Sequence, residues 1–207
     1  VTMPLFVVAT PIGNLDDASP RMKQVLESAD LVLCEDTRRT RALFSALDLT
    51  APKLVSCHAH NEHGRVERVI ERLRKGEVIA LVSDAGTPAV SDPGGHIVAS
   101  AHQNGVPVHV VAGPSSVIAA VAVSGFSGTP FHFLGFPPRK PGAIRKVLTE
   151  ASSLPGILVF LESGRRIGKV VQVMAELMPD REAVICRELT KHYEEVIRGS
   201  VSSLPTT

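Results

Sequence analysis

The 207-residue sequence is poor in aromatic residues: it has no tryptophan, one tyrosine and seven phenylalanines, 4% in all. Proteins that bind single-stranded nucleic acid without sequence preference stack successive bases on several aromatic side chains. A broad stacking platform of that kind is therefore not expected. With 44% hydrophobic residues, the chain is long and apolar enough to bury a core in one large or two small domains.

The net charge is also small, cysteines are few, and apolar runs are short. The formal net charge of +1 gives no global attraction to nucleic acid or membrane. Cys34, Cys57 and Cys186 are odd in number and widely spaced, which does not indicate a disulfide framework. Apolar runs fall short of the roughly 20 residues of a membrane helix, and Pro4 and the polar residues from Thr10 interrupt the segment where a signal peptide would lie. We expect a cytoplasmic protein with no membrane partner.

Several familiar site motifs are incomplete. The glycine pair of the dinucleotide fingerprint and the Gly-x-Ser-x-Gly elbow do not occur. Residues 164–170 resemble a phosphate-binding loop but are one residue short, and Val170 lacks the hydroxyl that binds magnesium. Asp84 to Thr87 resembles the nucleophile loop of haloacid-dehalogenase-like phosphatases, but glycine stands where the second carboxylate is needed. These classes of enzyme are not favoured.

The segment from Cys57 to His63 is dense in possible metal ligands. Its histidines, His58, His60 and His63, lack the spacing of a structural zinc site, and no second cysteine lies nearby. We therefore expect no metal.

Strand and helix signals alternate along the first half of the chain. The predicted strands are 5–9, 31–34, 53–57, 78–82 and 108–111, and the predicted helices begin near Pro20, Arg38, Val66, His96 and Ser115. This alternation predicts a doubly wound parallel sheet.

The second half repeats the alternation after a stretch of turn-forming residues at 124–130, which predicts a linker between domains 1–125 and 126–207. Its predicted elements are strands 131–136, 157–161, 183–187 and 195–198, the last two forming a long hairpin, and helices at 143–151 and from Ile167. We predict two α/β domains: an N-terminal parallel sheet and a smaller C-terminal mixed sheet.

The most informative stretch is Ser83 to Gly95. It follows a predicted buried strand and precedes a helix, so it lies at the carboxyl end of a strand, where open α/β sheets bind ligands. Its thirteen residues exceed the usual loop of about 2–6. Asp84 and Asp92 can accept hydrogen bonds from a hydroxyl pair or an amine, and Gly86 lets backbone approach a ligand closely. Residues 10–14 and 112–116 occupy equivalent positions after two other strands. Together the loops predict a ligand cleft.

Six motifs carry a family resemblance. They occur in the order 8–15, 35–38, 60–62, 83–94, 113–116 and 187–191, the last reading Arg-Glu-Leu-Thr-Lys. The sequence resembles the small-subunit ribosomal RNA methyltransferases of the tetrapyrrole methylase superfamily over nearly its whole length. The resemblance implies a two-domain homodimer that binds S-adenosylmethionine between its domains. The implied reaction is 2′-O-methylation of a decoding-centre cytidine of 16S rRNA in the small ribosomal subunit.

The resemblance and the loop positions together predict the cofactor contacts. They are Pro11, Gly13, Asp84, Ala85, Gly86, Thr87, Ser91, Asp92, Pro114, Ser115, Ser116, Leu161, Glu162 and Arg187. At 161–166 the sequence departs from the family's usual Tyr-Glu-Ser-Pro-His-Arg, with Leu161 for the tyrosine and Gly164 for the proline. That departure leaves open the detail of this wall of the cleft.

A ribose hydroxyl is a poor nucleophile, so a base or a nearby cation assists its methylation. The candidates include Glu35, Asp36 and His60, and we predict catalytic roles for Glu62, Lys191 and His58. The alternative for each is a purely structural role, which is common for polar residues at loop ends. Two short basic clusters are candidates for holding RNA phosphates: Arg38 with Arg39, and Arg139 with Lys140. The alternative for each cluster is a solvated basic face.

Two other functions stay open on the sequence. One is a methylase of the same superfamily that acts on a tetrapyrrole or a modified protein residue, against which the basic loops argue. The other is a non-catalytic RNA-binding module that retains a ligand cleft. Transfer of labelled methyl groups into small ribosomal subunits distinguishes an enzyme from such a module.

Overall fold

The structure, a computed structural model, describes residues 1–127 and 130–205. The chain divides into two units, Val1–Ser115 and Ser116–Thr207. Residues 128 and 129 of the predicted linker, and 206 and 207 of the second predicted domain, lie outside the described residues. The domain boundary after residue 125 stays a prediction. Within the described ranges, no helix has the length and apolarity needed to cross a membrane.

The first unit is built on a five-stranded, fully parallel sheet with the order β3-β2-β4-β1-β5. Its strands are β1 (Leu5–Val8), β2 (Leu31–Cys34), β3 (Lys53–Ser56), β4 (Ile79–Leu81) and β5 (Val108–Val111). Its helices are α1 (Pro20–Ser28), α2 (Thr37–Ala46), α3 (Val66–Arg74) and α4 (Gly95–Gln103). The predicted α/β class and the parallel N-terminal sheet are confirmed.

Both faces of the sheet are covered at its central strands β2 and β4, which is why these strands are continuous apolar runs. All four residues of β2 are buried. Successive side chains of a strand point to opposite faces, so Leu31 and Leu33 enter one core cluster while Val32 and Cys34 enter the other. Ligand access is consequently left to the strand ends, where the loops begin.

Over its described residues, 116–127 and 130–205, the second unit contains two separate two-stranded sheets. Its elements are α5 (Ser116–Val123), β6 (Phe131–Phe133), α6 (Pro141–Ser152), β7 (Ile157–Val159), α7 (Ile167–Leu177), β8 (Glu182–Arg187) and β9 (Glu195–Ser200). Strands β6 and β7 pair in parallel across the α6 crossover, whereas β8 and β9 form the predicted antiparallel hairpin. The prediction was one mixed sheet. In the described part of this unit, the parallel and the antiparallel pairing occur in two different sheets. Parallel neighbours need a long crossover and hairpin strands do not.

Candidate functional site

The structure brings the three loops predicted to bind a ligand into contact at the carboxyl edge of the parallel sheet. Thr10 and Gly86 form an isolated β-bridge, in which the Thr10 N–H donates to the Gly86 carbonyl at 2.9 Å and the Gly86 N–H donates back at 3.0 Å. The Thr87 hydroxyl donates to the Pro114 carbonyl at 3.1 Å. The loops after β1, β4 and β5 therefore form one connected backbone surface.

Two glycines make this close approach possible. Gly86 has φ +82, and a Cβ there would lie 3.2 Å from Ile12 Cγ2 and 3.7 Å from the Pro114 carbonyl oxygen. A Cβ on Gly113 would lie 3.1 Å from the Cβ of Ala9. Side chains at these points would separate the loops, so glycine is what lets backbone line the surface.

The remaining predicted cofactor residues of these loops differ in exposure. Pro11 is buried, Ser115 and Asp92 are half-buried, and Ser116 begins α5; the exposed residues are Gly13, Ala85 and Ser91. Ala89 lies between them with φ +61, a left-handed conformation that is uncommon outside glycine. Sequence reasoning missed this residue, because a strained backbone leaves no mark in the residue type.

Asp84, the first acidic residue of the long loop, is held by the start of α2. Its Oδ1 accepts from the Asp36 N–H at 3.1 Å, and its Oδ2 lies 3.3 Å from Arg39 Nη1. The Asp84 side chain is only 19% exposed. A ligand hydroxyl or amine would meet a carboxylate whose orientation is already fixed by protein contacts.

Acidic residues surround Asp84 at this sheet edge. Burial, and then the charges of Asp84 and Asp92, raise the pKa of Glu35. Burial, and then Asp84, raise the pKa of Asp92. These shifts share one cause: carboxylates crowded together at a partly desolvated edge disfavour each other's ionised form. The edge is therefore suited to cationic or hydroxyl-bearing ligand groups.

Glu62, predicted as a catalytic base, is 3% exposed. Its Oε1 accepts three backbone hydrogen bonds, from Gly94 at 3.1 Å, His96 at 2.7 Å and Ile97 at 3.1 Å. The carboxylate thus sits on the N-terminus of α4, directly after the long loop. Catalysis by Glu62 stays a prediction, and the contacts give this residue another role.

His58 is held by Asn61. The Asn61 Oδ1 accepts from the His58 N–H at 2.8 Å, and the Asn61 Nδ2 lies 3.1 Å from His58 Nε2 and 3.2 Å from the Ser56 carbonyl. Because an amide nitrogen only donates, Nε2 is the acceptor and the proton is assigned to Nδ1. Among the residues that the structure describes, His58 Nδ1 is buried and has no hydrogen-bond partner, so this ring carries an unpaired donor that solvent does not reach. Across the described residues, no cluster of three or more potential ligands is arranged to hold a metal ion.

The first basic cluster lies at the start of α2, where two arginines pair with acids. Arg38 Nε donates to Asp36 Oδ1 at 3.2 Å, and Arg38 Nη2 donates to Asp36 Oδ2 at 2.8 Å. These hydrogen bonds hold the pKa of Asp36 far below its usual range. Arg39 pairs with Asp84. Both arginine side chains are nonetheless largely exposed, at 85% and 71%. They remain available to a phosphate, in competition with their carboxylate partners.

The second basic cluster, Arg139 and Lys140, lies in the second unit on an ordered loop. The Arg166 guanidinium donates to the carbonyls of Pro137 and Pro138 at 3.1 and 2.8 Å, and Lys140 is the N-cap residue of α6. Phe136, which sequence reasoning missed, precedes Arg139 by three residues in the chain and is 59% exposed. An exposed aromatic ring close in sequence to two cations favours nucleic-acid contact. The structure is needed to recognise it, because exposure cannot be read from residue type.

Glu162 and Leu161 occupy the loop after β7. The Glu162 side chain is 3% exposed; its Oε2 lies 3.1 Å from Arg166 Nη2, and its Oε1 accepts from the Ser163 N–H at 2.7 Å. The Leu161 N–H donates to the Gly135 carbonyl at 3.0 Å. The Glu162 carboxylate therefore orients Arg166, which in turn holds the proline loop.

The turn of the β8–β9 hairpin carries the remaining predicted residues. Lys191 Nζ lies 3.2 Å from Glu188 Oε1, and Arg187 Nε lies 3.3 Å from Glu195 Oε2. Glu188 and Thr190 have φ +53 and +65. Left-handed backbone at a β-branched residue is a genuine outlier, and such strain concentrates at functional sites. The turn is thus a candidate site element on geometry as well as on sequence.

Comparison with known proteins gives one consistent result at the sequence level. Residues 4–205 match the model of the family described as Tetrapyrrole (Corrin/Porphyrin) Methylases. The chain is 46% identical over 203 residues to Ribosomal RNA small subunit methyltransferase I of Xylella fastidiosa, covering 98% of this chain and 74% of that protein. It is 41% identical to the protein of the same name from Thermotoga maritima, covering 96% of this chain and 88% of that protein.

Solved structures agree on the fold. Diphthine synthase matches with a TM-score of 0.72 at 18% identity, over 97% of this chain and 82% of that chain. A uroporphyrin-III-C-methyltransferase from Thermus thermophilus matches with a TM-score of 0.65 at 24% identity, over 98% of this chain and 87% of that chain. At these identities the likeness shows a shared architecture.

Proposed function

This chain belongs to the tetrapyrrole methylase family, and from that premise we propose that it is an S-adenosylmethionine-dependent methyltransferase of small-subunit ribosomal RNA. The observation that carries the proposal is the identity of 41–46% to proteins named Ribosomal RNA small subunit methyltransferase I over most of the chain. The finer proposal is 2′-O-methylation of a decoding-centre cytidine of 16S rRNA, in the cytoplasm where ribosomes are assembled.

The connected loops after β1, β4 and β5 fit a cofactor of this kind. Gly86 and Gly113 bring backbone to the surface, and a Cβ at either would contact a neighbouring loop or strand end. Asp84 and Asp92 supply half-buried carboxylates suited to ribose hydroxyls or an amine. When bound, S-adenosylmethionine supplies a methyl group on a positively charged sulfur. The protein's contribution is to position the groups and to exclude water.

The RNA proposal rests on local charge, because the net charge is only +1. Arg38, Arg39, Arg139 and Lys140 would hold backbone phosphates, which position RNA without reading its sequence. Phe136 offers one ring on which an unpaired base can stack. The 2′-hydroxyl is the feature that distinguishes RNA from DNA at the reacting atom.

For the transfer itself, we propose catalytic roles for Lys191 of the second unit and for His58 of the first unit, each argued from its own surroundings. Lys191 is about half exposed, so its ammonium is available to a substrate oxygen despite its pairing with Glu188. A cation beside the hydroxyl favours its deprotonated form. His58 Nδ1 is buried and has no hydrogen-bond partner among the described residues, so it can donate to a substrate oxygen only after a local rearrangement uncovers it.

We also propose that the protein is a homodimer, with α5 at the interface. Every residue of this helix after Ser116 is apolar. Ile118 is 53% exposed and Val123 is 44% exposed. Sedimentation at micromolar concentration should give a dimer. Ile118→Glu should shift the protein toward the monomer, and a wild-type monomer under these conditions would contradict the proposal.

The deciding experiment is mass mapping of labelled methyl groups after incubation with labelled S-adenosylmethionine and unmethylated small ribosomal subunits. Free 16S rRNA, a matched DNA and a tetrapyrrole are tested in parallel. Label at the 2′-oxygen of one cytidine supports the finer proposal. Label on a base atom overturns the ribose assignment alone. Label in the tetrapyrrole would show that the substrate is a tetrapyrrole and not rRNA. RNA binding with no methyl transfer to any acceptor would identify a binding module.

A further inference from the structure

We infer that Glu62 is a positioning residue that fixes the returning end of the 83–94 loop and acts through that loop on cofactor binding, rather than as the base of the methyl transfer. The inference rests on the proposed function, because the same loop supplies most of the proposed cofactor contacts. The observation is a single buried carboxylate oxygen that accepts hydrogen bonds from Gly94, His96 and Ile97.

Helix α4 needs this carboxylate because its own N-cap residue has no side chain. The first turn of an α-helix leaves backbone N–H groups without intrahelical partners, and a side chain at the N-cap position usually accepts from them. The N-cap of α4 is Gly94, and no side chain of the cap position makes that bond. Glu62, 32 residues earlier in the chain, supplies the missing acceptor. Its charge also complements the positive end of the helix dipole.

The same contact determines where the loop returns to the sheet. Gly94 has φ +126, and a Cβ there would lie 2.6 Å from Leu81 Cδ2. The loop thus leaves from the end of β4 and comes back against the last residue of that strand. At its other end, Gly86 is fixed by the bridge to Thr10. Glu62 therefore fixes one of the two points between which the loop is stretched.

A base role is hard to reconcile with these contacts. A general base must reach the proton that it accepts, directly or through one water. Glu62 is 3% exposed, and its Oε1 already accepts three hydrogen bonds. Moving this oxygen to a substrate would leave three backbone N–H groups at the start of α4 without their acceptor. Such unsatisfied buried donors are strongly disfavoured.

The test compares three substitutions that separate the two roles. Glu62→Gln keeps the reach and a carbonyl acceptor, Glu62→Asp keeps the charge but shortens the side chain, and Glu62→Ala removes both. The measurements are S-adenosylmethionine affinity by calorimetry, kcat and KM for the cofactor, and hydrogen exchange at Gly94, His96 and Ile97. Glu67→Ala, an exposed glutamate on the neighbouring α3, is the control and should change none of them.

A positioning role predicts that Glu62→Ala and Glu62→Asp weaken cofactor affinity about tenfold, raise KM more than they lower kcat, and speed exchange at the three amides. Glu62→Gln should rescue most of the affinity. A base predicts the reverse order: Glu62→Gln would lose about 10²–10⁴-fold in kcat with normal affinity, and Glu62→Asp would retain more activity. That result overturns the inference, as does unchanged exchange in Glu62→Ala.

The experiment also separates the inference from the proposed function. If the wild-type protein binds no S-adenosylmethionine, the proposed function fails, while the exchange measurements still test the contact at α4. If Glu62→Ala does not fold, the comparison of Glu62→Gln with Glu62→Asp carries the test alone, because the two roles predict opposite orders for this pair.

Discussion

Replacing Gly86 with alanine probes the point where the three loops meet. At φ +82 an alanine is held in left-handed backbone, which costs about 1–2 kcal/mol. Its Cβ would lie 3.2 Å from Ile12 Cγ2, and displacing that half-buried side chain adds up to about 1 kcal/mol, the low end for overpacking. We expect Gly86→Ala to lower the free energy of unfolding by about 1–3 kcal/mol.

The same substitution should weaken S-adenosylmethionine binding, because the displaced loops are the proposed cofactor surface. If about 1.4 kcal/mol of the distortion must be reversed on binding, affinity falls about tenfold. Urea denaturation measures the stability change and calorimetry measures the affinity. Gly105→Ala is the matched control, since Gly105 has φ +66 and a Cβ there would meet no atom of the described residues within 4 Å.

Gly105→Ala should therefore show the conformational cost of about 1–2 kcal/mol without any change in cofactor affinity. Adding Ile12→Ala to Gly86→Ala should relieve the steric part of the cost and leave the conformational part. The reasoning is refuted if Gly86→Ala binds the cofactor as tightly as wild type, or if Gly105→Ala weakens binding to the same extent.

Three further predictions concern charge. Arg38→Gln with Arg139→Gln should weaken RNA binding and flatten its dependence on salt, with cofactor affinity unchanged, and an unaltered salt slope would show that these arginines do not hold phosphates. Lys191→Met should lower kcat for methyl transfer more than it lowers RNA affinity, and equal losses in both would assign Lys191 to binding alone. Burial and the charge of Asp84 raise the pKa of Asp92 in the folded protein. The protonated carboxyl therefore contributes its full share of stability below the unfolded-state pKa of about 4, and this contribution is lost as the pH rises through the higher pKa of the folded state. Asp92→Asn should therefore raise Tm at neutral pH and flatten the pH dependence of Tm above about pH 4, whereas Asp180→Asn, at an exposed position, should do neither.

Much of the first unit was predictable from local signals. The run Leu31 to Cys34 indicated a buried parallel strand, and all four residues are buried in β2. Ser19 followed by proline indicated a helix start, and the Ser19 hydroxyl does accept from the Met22 N–H at 3.1 Å. Such signals can be read from sequence because strand burial and helix capping depend on residues close together in the chain.

The candidate site was only partly predictable. The positions of the three loops followed from the parallel sheet, since all carboxyl ends of its strands meet at one edge. The partners of the charged residues did not. Glu62 and Arg38 have the residue types expected of a base and a phosphate ligand, yet Glu62 caps α4 and Arg38 pairs with Asp36. Residue type alone cannot distinguish a group that awaits a ligand from one already engaged by the protein.

The sequence by itself determined the alternation of strands and helices, the family motifs, and the placement of polar loops after apolar strands. Only the tertiary structure decided which loops touch and which charges are engaged. The physical reason is the strand order β3-β2-β4-β1-β5, which places Asp36 beside Asp84, 48 residues away, and Thr10 beside Gly86. Local periodicity encodes how each segment buries its apolar face, whereas a hydrogen bond between distant segments forms only when the packed sheet brings their ends within about 3 Å.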